Sequence, residues 1–192
     1  FRRGNADAIR LGRADVQGVD IPRHVFSASS CGICGKTSID SVFQSFPPLP
    51  SDPDFRVHPE IIASLPAKLR AAQQTFSQTG GLHASAIFDE QGQMLVLRED
   101  VGRHNALDKV LGHGLQADLL PYRRHILLVS GRVSFELMQK ALAAGVPIVA
   151  AISAPSSLAV EFAQTSGQTL IGFLRGPTMN VYTHPQRICG TL

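Results

Sequence analysis

The chain has 192 residues, 44% of them hydrophobic and 17% charged, which excludes disorder and allows one sizeable core, alone or with an appendage. A net charge of +3, scattered along the sequence, excludes a nucleic-acid face built on a basic run with interleaved aromatics. It leaves open an ordinary solvated surface or an anionic ligand. No segment is long and apolar enough to span a bilayer, and no signal peptide opens the sequence, so a cytoplasmic protein is expected.

Residues 1–30 are polar and basic, with a short strand expected through Arg23–Ser27. Phe46-Pro-Pro-Leu-Pro-Ser-Asp-Pro53 cannot be helix or central strand. A boundary there separates an N-terminal segment, 1–53, from a domain over 54–192. From Pro59 to Thr79 apolar residues recur at helical spacing, with Pro59 suited to a first turn and Gly80-Gly81 to a stop. Pro66 is expected to kink or split that helix. His83–Phe88 and Met94–Leu97 around Asp89-Glu-Gln-Gly92 read as a β-hairpin. A β/α alternation follows: helix Asn105–Leu111, strand His125–Ser130, helix Ser134–Ala144, strand Val146–Ser153, helix Ser156–Thr165, strand Thr169–Leu174. That alternation predicts an α/β layered sheet with parallel pairing.

Chemistry concentrates in a few stretches. Three cysteines make an odd count, unlike a secreted disulfide framework. Two of them, Cys31 and Cys34, form a C-x-x-C with Gly32, Gly35 and Lys36 close by. Thiolate is the reactive form, and a nearby cation lowers a thiol pKa from its usual value of about 8.5. The glycines leave the backbone mobile, which suits a group carrier that meets a donor and then an acceptor. The second thiol suits attack on a persulfide or disulfide formed on the first. A structural zinc half-site, supplemented by Cys189 and His184, and a thioredoxin-type dithiol are the competing readings.

Arg98-Glu-Asp-Val-Gly-Arg-His-Asn-Ala-Leu-Asp-Lys109 puts Arg103 and His104 at a helix start. Cations there oppose the macrodipole, and a bound anion would relieve this. The plainer reading is a surface turn in which Glu99 and Asp100 pair with Arg98 and Arg103. Ser130-Gly-Arg-Val-Ser134 and Ser153-Ala-Pro-Ser-Ser157 join strand ends to helix starts, where ligands of open α/β sheets bind. Ser130 and Arg132 there suit a phosphate cradle, although simple capping by Ser134 and Ser156 accounts for either loop alone. Arg175, in Phe173-Leu-Arg-Gly-Pro-Thr178, suits a phosphate on the same edge or a simple surface turn. His83-Ala-Ser85 lacks the glutamate of a zinc-deaminase signature, and no later C-x-x-C supplies its other ligands.

The motifs Ser30-Cys-Gly-Ile-Cys-Gly-Lys36, Gly80-Gly-Leu-His-Ala84, Arg98–Lys109, Ser130-Gly-Arg132, Ser153–Ala159 and Asn180-Val-Tyr-Thr-His184 occur in order. From about Arg23 to the C-terminus the sequence resembles the FdhD family of formate dehydrogenase accessory sulfur carriers. The resemblance implies a sulfurtransferase that takes sulfur from a cysteine desulfurase as a persulfide. It then passes that sulfur to a molybdenum bis(guanine dinucleotide) pterin cofactor before insertion into formate dehydrogenase. It implies Cys31 as persulfide carrier, Cys34 as its partner and Phe173, Leu174, Arg175, Gly176, Pro177 and Thr178 as a cofactor-binding segment. With the residue-level reading, Arg103, His104, Ser130 and Arg132 join that cofactor site, and no metal ligands are expected. The implied core is a cytidine-deaminase-like, three-layer α/β fold with a mixed sheet, behind a small N-terminal segment carrying the cysteine loop, and the implied assembly is a homodimer. Family members usually carry a longer N-terminal segment before that loop.

Overall fold

The computed structural model describes residues 46–190, so the expected strand at Arg23–Ser27 and both Cys31 and Cys34 lie outside it. Pro59 opens α1 (Pro59–Ala72), which buries Ile62, Leu65 and Leu69. Each such burial contributes about 1.5–3 kcal/mol, and together they hold one helix across Pro66, where a kink or a split was expected and no split occurs. The break falls at Gln73 instead. A short helix, α2 (Gln74–Thr79), follows and ends on Gly80 with φ 68, the left-handed value that favours glycine.

The hairpin forms as read, with β1 (His83–Phe88) and β2 (Met94–Asp100) antiparallel. β2 runs three residues further than expected, because Glu99 and Asp100 pair with Ala84 and His83. α3 (Arg103–Gln116) is followed by β3 (Ile126–Val129), α4 (Phe135–Ala143), β4 (Ile148–Ala151), α5 (Ser157–Ser166) and β5 (Thr169–Arg175). A last strand, β6 (Thr178–Thr183), was not anticipated. It pairs antiparallel with β5 and alternates between more and less exposed positions as an edge strand does.

The six strands form one mixed sheet in the order β2-β1-β3-β4-β5-β6. β3, β4 and β5 are parallel, as the β/α alternation required. β1 is antiparallel to both its neighbours. The central strands are buried throughout, which explains their unbroken apolar runs Ile126-Leu-Leu-Val129 and Ile148-Val-Ala-Ala151. Ala86, Phe88, Leu128, Ala150 and Ile171 share one face with Ile62, Leu65 and Leu69 of α1. The alternate residues Ile87, Leu127, Val129 and Val149 are equally buried. They face the other way, where α3 covers β1 and β2 while α5 covers β5 and β6.

Two local devices place α3. Glu99 accepts hydrogen bonds from the Thr75 and Phe76 N–H groups at 3.0 and 2.8 Å, tying α2 to β2. Asp100 pairs with Lys109 at 2.6 Å and accepts from Gly102 N–H and Asn105 Nδ2 at 2.8 and 3.1 Å. The lysine contact first, then the Gly102 and Asn105 bonds, lower its pKa to about 2. Further along, Gly114 lies under Tyr122, whose hydroxyl and ring a Cβ would strike.

Two outcomes follow from these contacts. Gly114→Ala gains about 1 kcal/mol of helix preference but overpacks a filled site at a cost of about 1–3 kcal/mol. A melting temperature several degrees lower is expected by calorimetry, and an unchanged or higher value would contradict the packing argument. Asp100 titrates near 3.9 when unfolded and at about 2 when folded. Its contribution is therefore complete above about pH 4 and lost as pH falls through about 2. Asp100→Asn should flatten the acid-unfolding curve in that window, and superimposable curves would count against the assignment.

Candidate functional site

The carboxyl ends of β3, β4 and β5 lie on one edge of the sheet, where β1 begins. The first turn there is built on Ser130. Its N–H donates to Ala84 O and its hydroxyl accepts from Ala84 N–H, both at 2.9 Å. The same hydroxyl lies 3.5 Å from His83 Nδ1. Gly131 is buried next to it. A Cβ at 131 would stand 3.3 Å from His83 Nδ1 and 3.4 Å from the Arg103 side chain. The absent side chain is what lets β1, β3 and α3 bring His83, Ser130 and Arg103 together. Val133 N–H donates to Ala154 O at 3.1 Å and Ser156 N–H to Val133 O at 2.9 Å, locking the β3–α4 turn to the β4–α5 turn.

Between these turns lies a crevice of roughly 340 Å³, lined by Arg103, Arg132, Ser134 and Ser156 among others. Two helices begin there without side-chain caps, α3 behind Gly102 and α4 behind Ser134. Ser156 does cap its helix, accepting from Ala159 N–H at 3.2 Å. Ser134, expected to do the same, does not: among the described residues its buried hydroxyl has no partner, and neither has the buried Arg103 Nε. The expected pairing of Arg98 and Arg103 with Glu99 and Asp100 does not form either. The two carboxylates are engaged by α2, Gly102, Asn105 and Lys109, and Arg98 donates to Leu97 O at 2.8 Å. Among the described residues no carboxylate pairs with Arg103. Two uncapped helix starts, two guanidinium groups and buried donors lacking acceptors match an oxyanion such as phosphate.

The other expected residues fall around this crevice. His104, next on α3, is absent from its lining. Burial first, then the neighbouring Arg103 and Lys140, push its pKa below the ordinary imidazole value. Phe173, Arg175, Pro177 and Thr178 line a separate cavity of roughly 570 Å³ shared with Pro59 of α1. Leu174 is fully buried in the core, so only its backbone is available to a ligand. Gly176, at φ 57, makes the turn. Phe173 also has a positive φ, 51°, in the irregular stretch of β5 between Gly172 and Arg175. Such backbone strain in a bulky residue is uncommon and gathers at functional segments. Phe173 N–H donates to Ser153 O at 3.1 Å, so the segment adjoins the crevice across the Ser153–Pro155 turn.

Of the zinc supplements considered, His184 has Nε2 2.9 Å from Gln164 O and Nδ1 3.3 Å from Gln186 Nε2. Cys189 is held through its backbone on Val57. Among the described residues no three metal-ligating side chains gather, and no helix is long and apolar enough to cross a membrane. Ser134, read from the sequence as a cap, lines the crevice instead, and His83, to which sequence reading assigned no role here, stands beside Ser130. Their signals were the Gly-Leu-His-Ala and Ser-Gly-Arg motifs, whose meaning depends on β1 lying beside β3.

Comparison with known proteins fits this geometry. The family model for FdhD/NarQ proteins matches residues 7–189. A sulfur carrier protein FdhD of Streptomyces avermitilis is 56% identical over 171 residues, covering 88% of this chain and 61% of the relative. The protein of that name in Saccharolobus solfataricus is 48% identical, covering 86% of this chain and 62% of the relative. The chain thus spans about three fifths of the length of these relatives. A crystal structure from Desulfotalea psychrophila, assigned to the formate dehydrogenase accessory proteins, superposes with a TM-score of 0.68 at 31% identity, covering 77% of this chain and 62% of that one. With a matching family model across nearly its whole length and relatives above half identity, the chain belongs to the FdhD/NarQ family.

Proposed function

We propose that this chain is a sulfur carrier that accepts persulfide sulfur from a cysteine desulfurase. It delivers that sulfur to the molybdenum bis(guanine dinucleotide) cofactor of a formate dehydrogenase. The observation that carries the acceptor half is the crevice, where Arg103 Nε and the Ser134 hydroxyl are buried without partners between two uncapped helix starts. A dinucleotide supplies the diphosphate that such a site wants; Arg132 lines the same crevice, and Ser130 lines the cavity beside it. Phe173, Arg175, Gly176, Pro177 and Thr178, one turn away, extend the surface along which a long ligand would lie, with Leu174 contributing backbone. His104 acts from behind, through α3. The names of the relatives support the donor half.

The chemistry runs through the thiols of Cys31 and Cys34. Cys31 thiolate attacks the outer sulfur of the desulfurase persulfide, and the desulfurase thiolate leaves. Cys34 thiolate can then attack the Cys31 sulfur, forming the disulfide and releasing the outer sulfur as sulfide for the metal; a thiol reductant restores the pair. The strand order β2-β1-β3-β4-β5 with β1 antiparallel supports reading the core as cytidine-deaminase-like without its zinc ligands. A cytoplasmic homodimer is the form in which we expect it to act.

Two experiments test this reading. Incubated with a cysteine desulfurase and cysteine, the protein should gain one reductant-labile sulfur by intact mass, and Cys31→Ala should gain none. The same labile sulfur on Cys31→Ala would sink the carrier assignment. By titration calorimetry GDP should bind. Arg103→Ala, Arg132→Ala and Arg175→Ala should each weaken it on the order of 10-fold, as expected for lost charged hydrogen bonds. Absence of heat with GDP would remove the acceptor half.

A further inference from the structure

A second cavity, of roughly 450 Å³, is lined by His83 together with Arg70, Gln73, Phe76, Ser130 and Ile152, among others. Gln73 sits at the break between α1 and α2 and is only 5% exposed, yet its amide nitrogen has no hydrogen-bond partner. The other buried glutamine, Gln168, shows what this fold does with a structural amide. It accepts from the Ser166 hydroxyl at 2.9 Å and donates to Val146 O at 3.0 Å. A buried amide left unpaired is costly, and native structures keep few of them. Gln73 is held there by its backbone: its N–H donates to Arg70 O and its carbonyl accepts from Ser77 N–H, both at 3.3 Å.

The rest of the lining suits a flat, polar-edged ring. Phe76 presents an aromatic face already covered by the Arg70 guanidinium, 4.1 Å from the ring centroid, a plate of the kind on which planar heterocycles stack. Ile152 is apolar. His83 and Ser130 supply polar groups on the wall toward the anion crevice. The two cavities are neighbours: Ser130 lines this one and Arg132 the crevice, and a Cβ on the intervening Gly131 would stand 3.3 Å from His83 Nδ1 and 3.4 Å from the Arg103 side chain. A ring-sized cavity thus adjoins a phosphate-sized one.

We propose that this cavity is a ring subsite for a fused 2-amino-4-oxopyrimidine, with the Gln73 carboxamide pairing its lactam edge. A lactam carries an N–H donor beside a C=O acceptor, the complement of a primary amide. Guanine and pterin share that edge, so either end of a pterin guanine dinucleotide could occupy it. The inference rests on the anion-site reading above and adds to it the residue that selects the ring.

The test is titration calorimetry on the full chain with pyrophosphate, GDP, ADP, guanosine and 6-hydroxymethylpterin, comparing wild type, Gln73→Leu and Arg103→Ala. Gln73→Leu should weaken GDP on the order of 10-fold and leave pyrophosphate unchanged, while Arg103→Ala should weaken both. Its melting temperature should not fall, because an unpaired buried amide is being replaced by an apolar group. Unchanged pyrophosphate binding shows that the variant is folded. Loss of the pterin alone, or of guanosine alone, in Gln73→Leu supports the subsite and identifies which ring enters. GDP binding no tighter than pyrophosphate, ADP binding as tight as GDP, or GDP unaffected by Gln73→Leu would overturn the ring subsite and leave the anion site standing. No binding of pyrophosphate or GDP to wild type would overturn both.

Discussion

The paired hydrogen bonds between Ala84 and Ser130 are the contact on which the functional edge depends. They join the start of an antiparallel strand to the end of a parallel one. Because β1 runs against β3, its first residue rather than its last comes to the carboxyl edge. His83 therefore stands beside Ser130, and Gly131 has no side chain to keep α3 away. Arg103 then enters the same space from the start of α3. Slip the β1–β3 register by one residue and the three would no longer converge, since a one-residue slip turns each side chain to the opposite face; a side chain at Gly131 would crowd His83 and Arg103 at 3.3–3.4 Å.

Around that junction some buried polar groups are satisfied and others are not. Gln168, Ser166, Thr169 and Thr183 are buried and bonded, and they tie the α5–β5 corner to β6 and the C-terminal turn. Asp100 and Glu99 are fully used in setting α3 and α2. Arg103 Nε, the Ser134 hydroxyl and the Gln73 amide nitrogen have no partner among the described residues; the first two residues line the crevice and Gln73 lines the cavity next to it. Ser85, His113, Tyr122 and His125 also carry buried polar atoms without partners among the described residues, so it is the gathering of Arg103, Ser134 and Gln73 at neighbouring cavities, and not their being unsatisfied, that supports the proposed ligand.

The cations at the start of α3 illustrate how electrostatics divides between fold and site. Lys109 is spent on Asp100, and Lys140 on Asp108 at 2.7 Å. The neighbouring Glu99 and Asp100 are drawn to other donors, and among the described residues no ion pair holds Arg103. The macrodipole disfavours it where it stands, and only a bound anion would reverse that sign.

Much of this molecule was legible before its structure. Unbroken apolar runs at Ile126–Val129 and Ile148–Ala151, glycines closing helices and a turn-bearing hairpin specify local elements through periodicity and backbone preference, which are properties of neighbouring residues. The motifs likewise pointed to Arg103, Ser130, Arg132 and Phe173–Thr178; the structure puts Arg103 and Arg132 on one crevice, Ser130 on a second cavity and Phe173, Arg175, Pro177 and Thr178 on a third. Tertiary structure decided the rest. It carried α1 across Pro66 because burial of Ile62, Leu65 and Leu69 outweighed one lost helical bond. It extended β2 and added β6 because those strands exist only through their partners. It made Ser134 an unpaired hydroxyl rather than a cap, and it exposed Gln73 and His83 as cavity walls. None of these could be read along the chain, because each depends on which residues distant in sequence meet at the sheet edge, and that is settled by register and packing.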